Sequence, residues 1–369
     1  MTIRHPFQFV LELRQEDGAP LGQVPVVCDW EPALESARFR ALRQFRLTDI
    51  GPEAAAEIRP AWHEQLGPPY AAAVEVALTV PGAGPIVCRV PTTYFQALAR
   101  EASHAFVQKG LLRRGEPFIF LVTAYGNPPM LAESGPRARF SVEEVPTPLS
   151  VQTSALAGFY ARAMACGWPD DQDIPVFIPQ HVLDEADDLT RQAGALETAS
   201  VLIGHLHRDE ANSEVFLEVT AQIPARETLA TSTKVSFGPA TWDAASGAIA
   251  LRGKNERMAG WLHSHPARHW CNPQCLPEAR ARCPFQSSVF FSADDCAVHR
   301  TAFSKAYHVA LLVTHTDAGL QHALFGWRNG VIVQRAFHIL GAHTKPQPAA
   351  APTAVATIGE TDYEANCAD

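Results

Sequence analysis

The apolar and polar positions divide the chain into β-rich runs separated by a few helical stretches. Residues 6–13 read as a strand, and residues 74–80 and 86–90 as two more around the turn signal Pro81-Gly82-Ala83-Gly84. Residues 31–45 read as a helix with an Arg-rich outer face. Over residues 94–108, Phe95, Leu98, Ala102 and Phe106 recur at helical spacing. Residues 118–125 and 140–145 complete this half as strand-like runs. Residues 1–148 are therefore expected to form an α+β domain, an arrangement that suits a β-grasp among other folds.

A helix-like piece at 154–166 and the stretch Gly167-Trp168-Pro169, with acids at Asp170, Asp171 and Asp173, make residues 149–173 the expected connector. From 174 the pattern resumes with a strand at 176–178. Residues 181–195 carry Val182, Leu183, Ala186, Leu189 and Ala193 on one face and acids on the other, an amphipathic surface helix. Strands are expected over 197–207, 215–221, 234–237, 258–265, 308–314 and 331–338. The Ala-, Pro- and Thr-rich tail, 343–369, reads as disorder.

At 369 residues two domains are more natural than one, and 47% hydrophobic content supplies a sizeable core. A net charge of -9 without a long basic run argues against a nucleic-acid partner. No run approaches the roughly 18 apolar residues of a membrane span. The first twenty residues lack a signal-peptide apolar region, so a cytoplasmic protein is expected. In that setting the eight cysteines are read as free or metal-bound, and Cys271, Cys275 and Cys283 cluster while Cys296 follows a little beyond.

The candidate chemistry lies in Gly260-Trp261-Leu262-His263-Ser264-His265-Pro266 and, downstream, Ser292-Ala293-Asp294-Asp295. On an extended strand alternate side chains share a face, so His263 and His265 point together. Two imidazoles and one carboxylate leave an open position on a tetrahedral metal, the way catalytic zinc is held. Taken singly, these pieces have plainer readings. Ser-x-x-Asp is a helix-capping box, and a His pair on a strand is ordinarily core or surface. A second pair, His205 and His207 near Asp209 and Glu210, is read as a solvated strand end.

With Glu197 added, the ordered set Glu197, His263-Ser264-His265-Pro266 and Ser292-x-x-Asp295 resembles the JAMM (MPN-plus) metalloprotease family. Glu197 precedes a strand-like run and is followed seven residues later by Gly204, as in that family. The resemblance covers about residues 174–342 and implies a mixed β-sheet flanked by helices, cytidine-deaminase-like in architecture. It implies one catalytic Zn2+ on His263, His265 and Asp295, with Glu197 as general base and then acid, and Ser292 as oxyanion donor. It further implies hydrolysis of isopeptide or peptide bonds at the C-terminus of a ubiquitin-like protein.

The chain departs from the family in one place. The serine usually follows the proline closely, whereas here residues 267–291 intervene. This insert offers His269, Cys271, Cys275 and Cys283 as ligands of a second, structural zinc, with Cys296 as a rival fourth. The Ala-, Pro- and Arg-rich composition suggests a high-GC bacterium. The expected partners are then a ubiquitin-like protein or its conjugates, and ubiquitin-activating-like and ubiquitin-conjugating-like proteins of the same defence operon. Processing of a sulfur-carrier ubiquitin-like protein and a non-catalytic MPN scaffold are the competing expectations. The scaffold is disfavoured because all the ligands are kept.

Overall fold

In the computed structural model the chain divides into two compact units, Met1–Leu149 with Asn329–Val331 and Ser150–Arg328 with Ile332–Asp369. The structure describes residues 1–126, 148–225, 231–234, 236–271, 274–281, 283–287 and 289–341. The strand expected over 140–145 and the tail from 343 lie outside these residues. Among the described residues no helix is long and apolar enough to cross a membrane. The architecture is mixed, rich in strands with several sheets and helices, in agreement with the α+β class.

The first unit contains β1 (Thr2–Arg4), β2 (Phe7–Gln15), β3 (Pro20–Pro25), α1 (Glu31–Gln44), β4 (Ala55–Trp62), β5 (Ala71–Val80), β6 (Gly84–Pro91), a short 3-10 turn (Thr92–Phe95), α2 (Gln96–Gln108) and β7 (Phe118–Gly126). They form a four-stranded sheet, β1-β4-β5-β6, and a three-stranded sheet, β3-β2-β7, among the described residues. Helix α1 buries Ala33, Leu34, Ala37, Phe39 and Ala41 and packs on β5 and β6. Strand β4 was not legible because its buried positions are mostly small, Ala56 and Pro60 beside Ile58.

The second unit contains β8 (Gln152–Ser154), α3 (Leu156–Tyr160), β9 (Ala163–Cys166), β10 (Val176–Pro179), α4 (Gln180–Ala193), β11 (Ala199–Asp209), β12 (Val215–Pro224), α5 (Pro239–Arg252), β13 (Arg257–His265), α6 (Ala267–Trp270), α7 (Pro277–Ala281), α8 (Pro284–Ser287), α9 (Ala293–Ala302), β14 (Val309–Thr316), β15 (Gly319–Arg328), β16 (Val331–Arg335) and β17 (Phe337–Leu340). Ten described strands make one sheet in the order β16-β15-β14-β13-β11-β12-β10-β17-β9, with β8 pairing beside β11. Two expectations are corrected. Residues 154–166 are not one helix: β8 adds to β11 and β9 to β17, so cross-strand pairing overrides the helical propensity of this Ala-rich stretch. Lys234 and residues 236–238 are loop rather than strand, because Thr231 N–H bonds the Lys234 carbonyl at 2.8 Å and closes a local turn.

Strand β13 occupies the middle of the sheet, antiparallel to β11 and parallel to β14. It is buried continuously from Ala259 to His265, as expected of a strand covered on both faces. The register slips at Leu202/Ile203 and again at Ile203/Gly204. The backbones approach so closely there that a Cβ would fall 1.9 Å from the Glu218 carbonyl oxygen at Gly204, and 1.8 Å from that of Val309 at Gly260. Both positions therefore require glycine.

Candidate metal centre

Alternation along β13 puts His263 and His265 on one face, and both rings are fully or almost fully buried. Their Nε2 atoms lie 3.2 Å apart. Asp295 closes the triangle from α9, with Oδ1 3.2 Å from His263 Nε2 and Oδ2 3.3 Å from His265 Nε2. Among the described residues this is the group of His, Cys, Asp and Glu gathered tightly enough to hold a metal ion. Its separations match the edge of a tetrahedron, about 3.3–3.4 Å at zinc–nitrogen distances of about 2.0–2.1 Å. The residues present thus fit a zinc ion.

The capping box and the candidate site are the same object. Ser292 caps α9: its hydroxyl oxygen accepts the Asp295 N–H at 3.1 Å, and its own N–H donates to Asp295 Oδ2 at 2.8 Å. The cap fixes the carboxylate in rotation and leaves the Ser292 O–H hydrogen free to point elsewhere. Burial opposes the charge on Asp295, but the two imidazoles outweigh it and hold the carboxyl well below its ordinary range. Burial also lowers His265, which favours the neutral ring that a metal requires.

Glu197 is buried two residues before the strand pairing begins at Ala199. Thr198 N–H donates to Ser264 Oγ at 3.0 Å, the Ser264 N–H donates to the Thr198 carbonyl at 3.0 Å, and the Glu197 N–H reaches the Thr231 carbonyl at 2.9 Å. Its Oε2 is buried without a hydrogen-bond partner among the described residues. Burial first, then the charges of Asp295 and Asp294, push its carboxyl up to about 9. A cation on the neighbouring ligands would oppose that shift. Glu197 itself stands outside the ligand group.

Aromatic rings enclose the imidazoles. Trp261 lies parallel to the His263 ring at 4.4 Å, and its indole N–H donates to His299 Nδ1 at 3.0 Å. His265 touches Trp270 at 5.1 Å and Phe290 at 5.0 Å between ring centres. Sequence reasoning missed Ser264, Trp261, His299 and Trp270. The identity of Ser264, between two candidate ligands on the opposite face of a buried strand, was the available signal for the first.

The other candidates are placed differently. Cys271, Cys275, Cys283 and His269 do not form a metal-holding group among the described residues, nor does Cys296. Burial and a hydrogen bond with the Cys283 thiol push Cys271 up to about 12 in the metal-free chain. His207 is not a solvated strand end but buried: Ser154 Oγ lies 2.9 Å from Nδ1, Glu218 Oε2 lies 3.0 Å from Nε2, and Phe216 stacks on the ring. With His205, whose Nδ1 lies 2.9 Å from Gln152 Nε2, it fastens β8 to β11.

No protein-family model matches the chain, and no curated protein does. Among solved structures, the solution structure of protein DSY2949 from Desulfitobacterium hafniense is similar at 16% identity and a TM-score of 0.30, over 45% of this chain and 94% of that one. A likeness that slight bears on neither fold nor site.

Proposed function

We propose that the chain is a zinc-dependent isopeptidase or peptidase of the JAMM type, cleaving after the C-terminus of a ubiquitin-like protein. The observation that carries this reading is the buried triangle of His263, His265 and Asp295 beside Glu197, whose Oε2 has no hydrogen-bond partner among the described residues. Zinc on those three residues supplies Lewis acidity and lowers the pKa of water toward about 7. Glu197 accepts the proton of the attacking water and passes it to the leaving amine. The O–H of Ser292 donates to the oxyanion, a contact whose loss typically costs about 10² to 10³ in rate. The aromatic enclosure excludes bulk water and strengthens each of these interactions.

The cytidine-deaminase-like architecture and the membership of a bacterial ubiquitination-like defence system belong to the same proposal. A ubiquitin-like protein fused at its C-terminus to a reporter tests it with the full chain. Cleavage by the wild type that vanishes in Glu197→Gln, with zinc content unchanged, is the expected result. Zinc-loaded wild type that leaves every such fusion and isopeptide conjugate intact, or equal cleavage by both proteins, would overturn it.

A further inference from the structure

A zinc-binding histidine ordinarily has its second ring nitrogen tied to a carboxylate or carbonyl, which sets the ring's orientation. Here the Nδ1 atoms of both His263 and His265 are buried with no hydrogen-bond partner among the described residues. Packing must do the orienting. For His265 it comes from the insert: Trp270 at 5.1 Å and Phe290 at 5.0 Å, with Phe285 against both of them. Trp270 also makes one directed contact, its indole N–H donating to the Ser232 carbonyl. Ser232 sits in the turn closed by Thr231 and Lys234, and the carbonyl of Thr231 receives the Glu197 N–H at 2.9 Å. One side chain thus touches a candidate ligand and, through one turn, the backbone of the candidate base.

We propose that Trp270 is a positioning residue for this site, its ring holding the His265 imidazole and its indole N–H anchoring the turn that seats Glu197. The inference rests on the zinc reading above. It gives the insert a task that needs no metal of its own.

The test compares full-length wild type, Trp270→Phe and Trp270→Leu, each checked for folding by circular dichroism. Zn2+ affinity is read by chelator competition, ring geometry by the visible spectrum of the Co2+ form, and the turn by hydrogen exchange of the Glu197 amide. Trp270→Leu is expected to weaken Zn2+ binding about 10- to 100-fold and to shift the Co2+ bands. Trp270→Phe keeps a ring on His265, so its Zn2+ affinity stays near wild type. Its Glu197 amide exchanges about fivefold faster, the change one hydrogen bond produces. A Trp270 that merely packs the insert would lower thermal stability without moving spectrum or exchange, and that result overturns the proposal. If Trp270→Leu does not fold, Trp270→Phe decides through the exchange measurement alone. Wild type that binds no Zn2+ brings down the zinc reading and this inference with it, whereas wild type that binds Zn2+ with unaltered variants brings down the inference only.

Discussion

The hydroxyl oxygen of Ser264 accepts the backbone N–H of Thr198 at 3.0 Å, so a side chain completes the strand pairing where β11 is about to begin. Ser264 is wholly buried between the two candidate ligands. Ser264→Ala strands the Thr198 N–H and is expected to cost about 1–3 kcal/mol. Because Thr198 adjoins Glu197, hydrolysis should fall while zinc content holds. Urea unfolding and metal analysis of one preparation check both halves, and an Ala variant as stable as wild type would show that the contact carries no weight.

The metal prediction is one zinc per chain, since among the described residues His263, His265 and Asp295 are the three ligands gathered closely enough to hold an ion. Zinc at about 100 times its Kd should stabilise the folded protein by about 2.7 kcal/mol. Thermal melts with and without chelator measure this. His265→Ala should remove both the zinc and the shift, while Cys271→Ser and Cys275→Ser should keep both. Two zincs per wild-type chain, falling to one in the Cys variants, would restore the structural site to the insert.

The legible parts of this molecule are those encoded at short range. The period of a strand puts His263 beside His265, and Ser292 with Asp295 announces a helix start. The sequence offered Ser292 and Asp295 both as a cap and as part of the candidate metal set, but the cap spacing says nothing of what faces Asp295. Helix α5 was missed for want of contrast: its Ala-rich run buries only Thr241 and Ala245. Strand β15 escaped because Gly319 to Gln321 are only partly buried or exposed before the buried run from Ala323 to Trp327. The contact of Trp270 with Ser232 joins segments 38 residues apart and leaves no local trace. The insert's cysteines carry a ligand-like spacing, but among the described residues they are not gathered with three or more ligands as His263, His265 and Asp295 are.

His308 gives the chain a predictable acid response. Its Nδ1 accepts the Lys305 N–H at 3.2 Å. Burial, helped by Lys305 and Arg257 and opposed by backbone contacts with Phe303 and Met258, lowers its pKa from 6.5 to about 4. Between those values the unfolded chain binds a proton there that the folded protein does not, so stability is full above 6.5 and falls as pH drops toward about 4. His308→Asn retains an acceptor for Lys305 and removes the titration, so it should flatten this slope. His265 and His299, also lowered by burial, contribute in the same sense, while the raised Glu197 contributes in the opposite one, so the test is the difference between His308→Asn and wild type. Urea unfolding across the window tests it, and an unchanged slope in His308→Asn would rule the group out.

Ser292 is assigned two tasks, and they can be separated. As cap it holds α9 and aligns Asp295; as donor its O–H serves the oxyanion. Replacing a capping serine by alanine costs about 1 kcal/mol, by glycine only a few tenths. Both replacements remove the hydroxyl, so both should slow turnover by about 10² to 10³. The stability of Ser292→Gly should nevertheless stay close to wild type while that of Ser292→Ala falls. The Ser292 N–H, which holds Asp295 Oδ2, survives in either variant, so zinc content is expected to persist. Turnover that tracked stability, with the glycine variant nearly as active as wild type, would reduce Ser292 to a cap.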